Sequence, residues 1–238
     1  MWGLFLREAL SVGDDSVQPI SYPLLAALAI GAYRPYVVPK LFEEYIADET
    51  NEASIQNAFD QFKGVLMIVW LFVGIPWLVP ACLGLVNALK SRGLELLAEG
   101  RKQYRSGRQS RRRGSSKEDI RRVQNGEVWD MLRTYFSDFS ALTWTVVFGY
   151  SLAGTTNTGI FKEENTQLIL AASITSSGAT RQAKSHVKAS LCLGNSVVAI
   201  AIEVREALAA AESQGPVALS KIQVRVLEKR ETTKVDEV

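Results

Sequence analysis

Residues 166–204 read TQLILAASITSSGATRQAKSHVKASLCLGNSVVAIAIEV, and the fold follows from how this stretch is punctuated. Asn165 and Thr166 offer an N-cap for the apolar run 168–174, and Gly178 closes it. A second helix is expected over 180–193, stopping at Gly194. Asn195 and Ser196 then cap a third, 197–211, which ends before Gly215-Pro216. Apolar residues recur at threes and fours, and none of it alternates with period two for long. The stretch predicts three short helices joined by glycine turns.

The rest of the chain repeats that style. The run 24–30 is helix-compatible and ends at Gly31 and Pro35, and Tyr36, Val37, Leu41, Phe42, Tyr45 and Ile46 then mark one helical face. After the polar break DETNEAS a helix is expected around 55–62. Next come 26 uncharged residues, 64–89, between Lys63 and Lys90. That length suffices for a membrane-spanning helix. Pro76 and Pro80, however, disfavour a continuous helix, so Gly74-Ile75-Pro76 reads better as a break between two shorter buried helices. Further on, 128–153 has helical periodicity, and its Trp129, Tyr135, Phe136, Phe139, Trp144 and Phe148 read as core, though they would also suit a pocket for a flat metabolite. The expected class is all-α.

Composition narrows the function. The chain has 238 residues, 47% hydrophobic and 22% charged, with 27 basic and 25 acidic side chains, which excludes a disordered protein. Its two cysteines, Cys82 and Cys192, form no CxxC and read as buried apolar filler. A single histidine, His186, precludes a multi-histidine metal site within one chain. No GxGxxG or P-loop is present, so neither a cofactor nor a metal is expected. The first residues, with Glu8 and no long apolar core, do not read as a signal peptide, which points to a cytoplasmic protein. Ten basic residues fall in 101–122, leaving 17 basic against 23 acidic elsewhere. That block reads as a flexible basic linker between an N-terminal helical module, 1–100, and a second, 123–238 with a charged tail. Its one aromatic, Tyr104, gives bases nothing to stack on, so nucleic acid is not an expected partner.

The quoted stretch resembles the signature of the carboxymuconolactone decarboxylase family and its alkylhydroperoxidase AhpD-like relatives. Gln167 stands where that signature opens an apolar helix with an acidic residue. Gly178, His186 within HVKASLCLG, Ser190, Gly194 and the following apolar helix match the remainder. An earlier segment, LLAALAIGAYRPYVVPKLFEEY, resembles a degenerate copy of LILAASITSSGATRQAKSHVKA, with Phe42 where His186 falls. FKGVLMIVWLFVGIPWLVPACLGL likewise looks like the family's glycine-proline helix pair that follows the histidine helix. Duplication of one helical unit would account for both echoes and would make 64–89 core rather than membrane. The resemblance implies an AhpD-like fold of two related modules and assembly into homo-oligomers.

It also bears on chemistry. The peroxidase branch of the family uses a Cys-x-x-Cys-x-x-x-His arrangement. Counting back from His186 puts Ala179 and Gln182 at the cysteine positions, so a thiol peroxidase reaction is excluded. The decarboxylase branch needs proton handling at a dienolate, for which a histidine titrating near neutrality is suited. His186 is the catalytic candidate, against a plain core histidine bonded to a carbonyl. Gln167 cannot act as acid or base but can hold a carbonyl or phenol oxygen. Arg181 and Lys184 are candidates for a substrate carboxylate or enolate, and Tyr150, Thr156 and Asn157 for orienting a ligand; solvated-helix and turn roles explain them equally well. The expected activity is cofactor-independent decarboxylation, isomerisation or cyclisation of a small carbonyl-containing or polyketide-like metabolite, in biosynthesis rather than catabolism. The alternative is a non-catalytic oligomeric binding or scaffold protein of the same fold.

Overall fold

Two helices among the described residues have no polar face over most of their length. The first, α1 (Ser21–Gly31), buries Pro23 through Leu28, then Ile30 and Gly31. The other buries every residue from Leu168 to Ser176. A helix that is apolar or small all round has to be enclosed on all sides, and these two lie together at the centre.

The computed structural model describes residues 18–98, 126–143, 145–146 and 159–196. Among them are eight α-helices and two 3-10 turns, Gln18–Ile20 and Glu95–Ala98, with no strand. After α1 come α2 (Val37–Tyr45), α3 (Glu52–Val73) and α4 (Ile75–Lys90). Then follow α5 (Gly126–Tyr135), α6 (Ser137–Thr143), α7 (Glu163–Ser176) and α8 (Thr180–Cys192). The centre is the α1–α7 crossing; α3 lies against both, α2 packs on α1, α8 packs on α7, and α4 returns along α2 and α3. The crossing depends on Gly31. A Cβ there would stand 2.2 Å from the Ser173 carbonyl oxygen and 2.2 Å from Ser176 Oγ.

Capping sets the ends of the outer helices. Asn51 Oδ1 accepts from the backbone amides of Ala53 at 2.8 Å and Ser54 at 3.4 Å, opening α3. Asn51→Ala should therefore lower stability by about 1 kcal/mol, read as a midpoint shift in urea unfolding. At the other end of α2, Arg92 donates to the carbonyls of Ile46 at 2.8 Å and Ala47 at 3.0 Å, satisfying acceptors that the helix leaves open.

The uncharged run 64–89 is split as expected. Gly74 has φ +88, a value that side chains resist, and it separates α3 from α4. No helix among the described residues is long and apolar enough to cross a membrane. Two details differ from expectation. The helix expected around 55–62 continues without a break into the apolar run, giving one helix of 22 residues. Nor is α4 wholly buried: Leu78, Ala81, Leu85, Ala88 and Leu89 face inward, while Ile75, Val79 and Leu83 are exposed.

Other expectations need correction. Helix α7 begins at Glu163, not at an Asn165-Thr166 cap; Glu163 and Glu164 lie in its first turn, where carboxylates favour the helix dipole. Both cysteines, read as buried filler, are exposed. Of the aromatic set read as core, Tyr135, Phe136 and Phe139 are exposed, since α5 and α6 pack chiefly on each other. The side chains of Trp129, Trp144 and Phe148 lie outside the described residues, as do the basic segment 101–122, the helix expected over 197–211 and the charged tail.

The two modules read from the sequence share one core in their described parts: Phe161, Leu168–Leu170, Ala172, Ile174 and Ala183 pack with residues from Ile20 to Leu89. Phe42 and His186 are 144 positions apart. Moved by that offset, α1 falls on 165–175 and α2 on 181–189, against Glu163–Ser176 for α7 and Thr180–Cys192 for α8.

Candidate functional site

Helix α7 carries Gln167 near its start, and α8 carries His186 at its middle. The register between them is fixed by Asn195, just past α8. Its Nδ2 donates to the Glu164 carbonyl at 2.9 Å, to the Ser190 carbonyl at 3.2 Å and to Ser190 Oγ at 2.8 Å. The first turn of α7 is thereby tied to the last turn of α8. Ser190, fully buried, is small enough to let that link form.

Across this seam Gln167 Nε2 lies 3.1 Å from His186 Nδ1 and donates to the His186 backbone oxygen at 3.2 Å. A carbonyl oxygen only accepts, so the amide must present its NH2 group there. The same NH2 faces Nδ1, which therefore accepts, and the imidazole proton sits on Nε2. The Phe72 ring, from the last turn of α3, meets the imidazole nearly edge to face, with centroids 6.2 Å apart and planes at 77°. His186 is 8% exposed. Burial pushes its pKa down from 6.5 to about 4, because the protonated ring would lose its hydration. The described surroundings hold a neutral imidazole, proton on Nε2, between two helices.

Two further candidates do not join this pair. Arg181 and Lys184 are exposed, whereas His186 on the same helix is buried. Five and two positions before His186, they fall about 140° and 160° round the helix from it. Periodicity thus separates them, although their closeness in sequence suggested one site. Tyr150, Thr156 and Asn157 lie outside the described residues. Among the described residues no group of three His, Cys, Asp or Glu side chains could hold a metal ion.

Sequence reasoning missed Phe72, which nothing distinguishes from its neighbours in an apolar run. Asn195 it read only as a cap. The signal for its second role was its place immediately after a glycine stop, where a side-chain amide can reach back to open carbonyls.

No family model, curated protein or solved structure matches this chain.

Proposed function

We propose that the chain is a cofactor-independent enzyme, similar to the carboxymuconolactone decarboxylase and AhpD-like proteins. It acts by proton transfer on a small carbonyl-containing or polyketide-like metabolite and works as a homo-oligomer. The observation that carries this reading is the contact between Gln167 and His186. These residues, 19 positions apart, are the two that the resemblance marks as acid-position and histidine, and they meet where His186 is buried against the Phe72 ring.

The geometry favours a particular use of the histidine. Its Nδ1 is occupied by the Gln167 amide, so the ring offers substrate a donor, Nε2–H, rather than a free basic lone pair. A neutral imidazole donor suits an oxygen that gains charge as an enolate or dienolate forms. Decarboxylation, double-bond isomerisation and enolate-driven cyclisation share that intermediate. Gln167 holds the tautomer, and burial keeps the ring uncharged.

The test is incubation of purified protein and its His186→Ala form with metabolite extract, followed by mass spectrometry. We expect a compound that loses carbon dioxide, or shifts retention at constant mass, only with the unmutated protein, with turnover at least 100-fold slower in the variant. Equal turnover by both forms would defeat the mechanism. Ligand protection against heat without turnover, indifferent to His186, would favour the binding protein.

A further inference from the structure

Helix α4 is apolar on its outer side as well as its inner one. Leu78, Leu85 and Leu89 enter the core, while Ile75, Val79 and Leu83, four residues apart, form a stripe exposed to solvent. Pro76 and Pro80, next to the stripe in sequence, are exposed too. From Ile75 to Leu83 there is no charged, amide or hydroxyl side chain. A surface helix that faces water carries polar residues on its outer side. An apolar stripe left open there marks a surface that something else covers.

Aromatic rings stand at the start of the stripe. Trp77 is exposed and meets Tyr33, with ring centroids 5.0 Å apart and planes at 56°. Tyr36, also exposed, opens α2, whose Pro39 lies against Gly84 of α4. The turn that ends α1 has the Arg34 amide donating to the Ala29 carbonyl at 2.8 Å and the Tyr33 amide to that of Ile30 at 2.9 Å. Such a turn favours glycine at its left-handed position, yet Tyr33 occupies it at φ +58. A bulky residue is strained there, and the strain accompanies an exposed ring set on Trp77. Trp and Tyr are the side chains that settle at the headgroup level of a bilayer, with aliphatic ones entering deeper. A protein partner would instead find hydrogen-bonding groups spread among the apolar contacts, which the stripe does not offer.

Covalent reach adds charge to this face. The 3-10 turn Glu95–Ala98 packs on α4. From 101 to 113 the sequence has seven basic side chains and no acidic one. At about 3.3–3.6 Å per residue, Arg101 and Lys102 lie within about 15 Å of Ala98 on any path the chain takes. Positive charge is thus tethered close to an apolar stripe, the combination that anionic lipid attracts. We propose that the outer face of α4, with Tyr33 and Tyr36, seats the protein on an anionic bilayer, lying in its surface and not spanning it. Stable seating takes two signals, here apolar contact and charge. The proposal does not rest on the enzymatic reading.

The test is co-sedimentation of the full chain with vesicles, one set of phosphatidylcholine alone and one of equal parts phosphatidylcholine and phosphatidylserine. We expect binding to the mixed vesicles at least tenfold tighter than to the neutral ones, weakening as salt is raised. Ile75→Gln combined with Leu83→Gln removes apolar contact without changing charge. Both side chains are exposed, so this variant should melt within a few degrees of the parent, yet bind the mixed vesicles at least tenfold more weakly. Equal binding by parent and variant would mean that charge alone suffices and would overturn the role of α4. Binding indifferent to phosphatidylserine and to salt would overturn the anionic preference. Failure to bind either vesicle overturns the proposal outright. If light scattering then shows a parent oligomer that the double variant dissolves, the face belongs to a second copy of the chain.

Discussion

Gly31→Ala is expected to destabilise the protein by about 3 kcal/mol, although alanine is the better helix former by about 1 kcal/mol. The added carbon would stand 2.2 Å from the Ser173 carbonyl oxygen and 2.9 Å from the Ser173 carbonyl carbon. Ser176 Oγ, also 2.2 Å away, can rotate; the backbone of α7 cannot. Relief therefore requires α1 and α7 to separate, and every other helix of the core leans on one of these two or on a neighbour that does. Melting should fall by about 6–12 °C for a chain of this size. An unchanged melting temperature would mean that the two helices do not cross as closely as described.

Phe42→Ala is expected to cost about 3–5 kcal/mol. Phe42 is fully buried, and it sits at the meeting point of α2 and α3, edge to face with both Phe59 and Phe62. Losing the ring removes its transfer energy, leaves a cavity and forfeits two aromatic contacts of about 0.5–1.5 kcal/mol each. Chemical denaturation read by tryptophan fluorescence gives the value, and a loss under about 1 kcal/mol would show that the cluster repacks around the gap. Phe42→Leu should recover more than half of the loss by filling most of the space.

The helices with glycine stops were legible in the sequence because each stop has a local cause. Gly31, Gly74, Gly178 and Gly194 each end a helix within a few residues of where periodicity fails. What covers each helix was not legible. Tyr135, Phe136 and Phe139 show helical spacing, and a periodic face was read as core, yet all three are exposed. Periodicity says that a helix has an apolar side; it does not say what lies against it. Cys82 and Cys192 failed in the same way, since composition assigns a habit to cysteine rather than a place.

The candidate site was legible only in part. Gln167 and His186 stand on different helices, so no local spacing connects them; the resemblance named them, and the α7–α8 seam brings them within 3.1 Å. Arg181 and Lys184 were drawn in by nearness along the chain, a poor guide on a helix, where residues two or five apart point away from each other.

The α1–α7 crossing has a consequence for the order in which the protein is made. Helix α1 ends at Gly31 and its main partner α7 ends at Ser176, so a ribosome must add about 145 further residues before the pair can close. At about 5–20 residues per second that interval is about 7–30 s. Throughout it, Leu24, Leu25, Leu28 and Ile30 have only α2, α3 and the turn before α1 to cover them. The side of α1 that faces α7 therefore stays open to solvent until a single distant helix emerges.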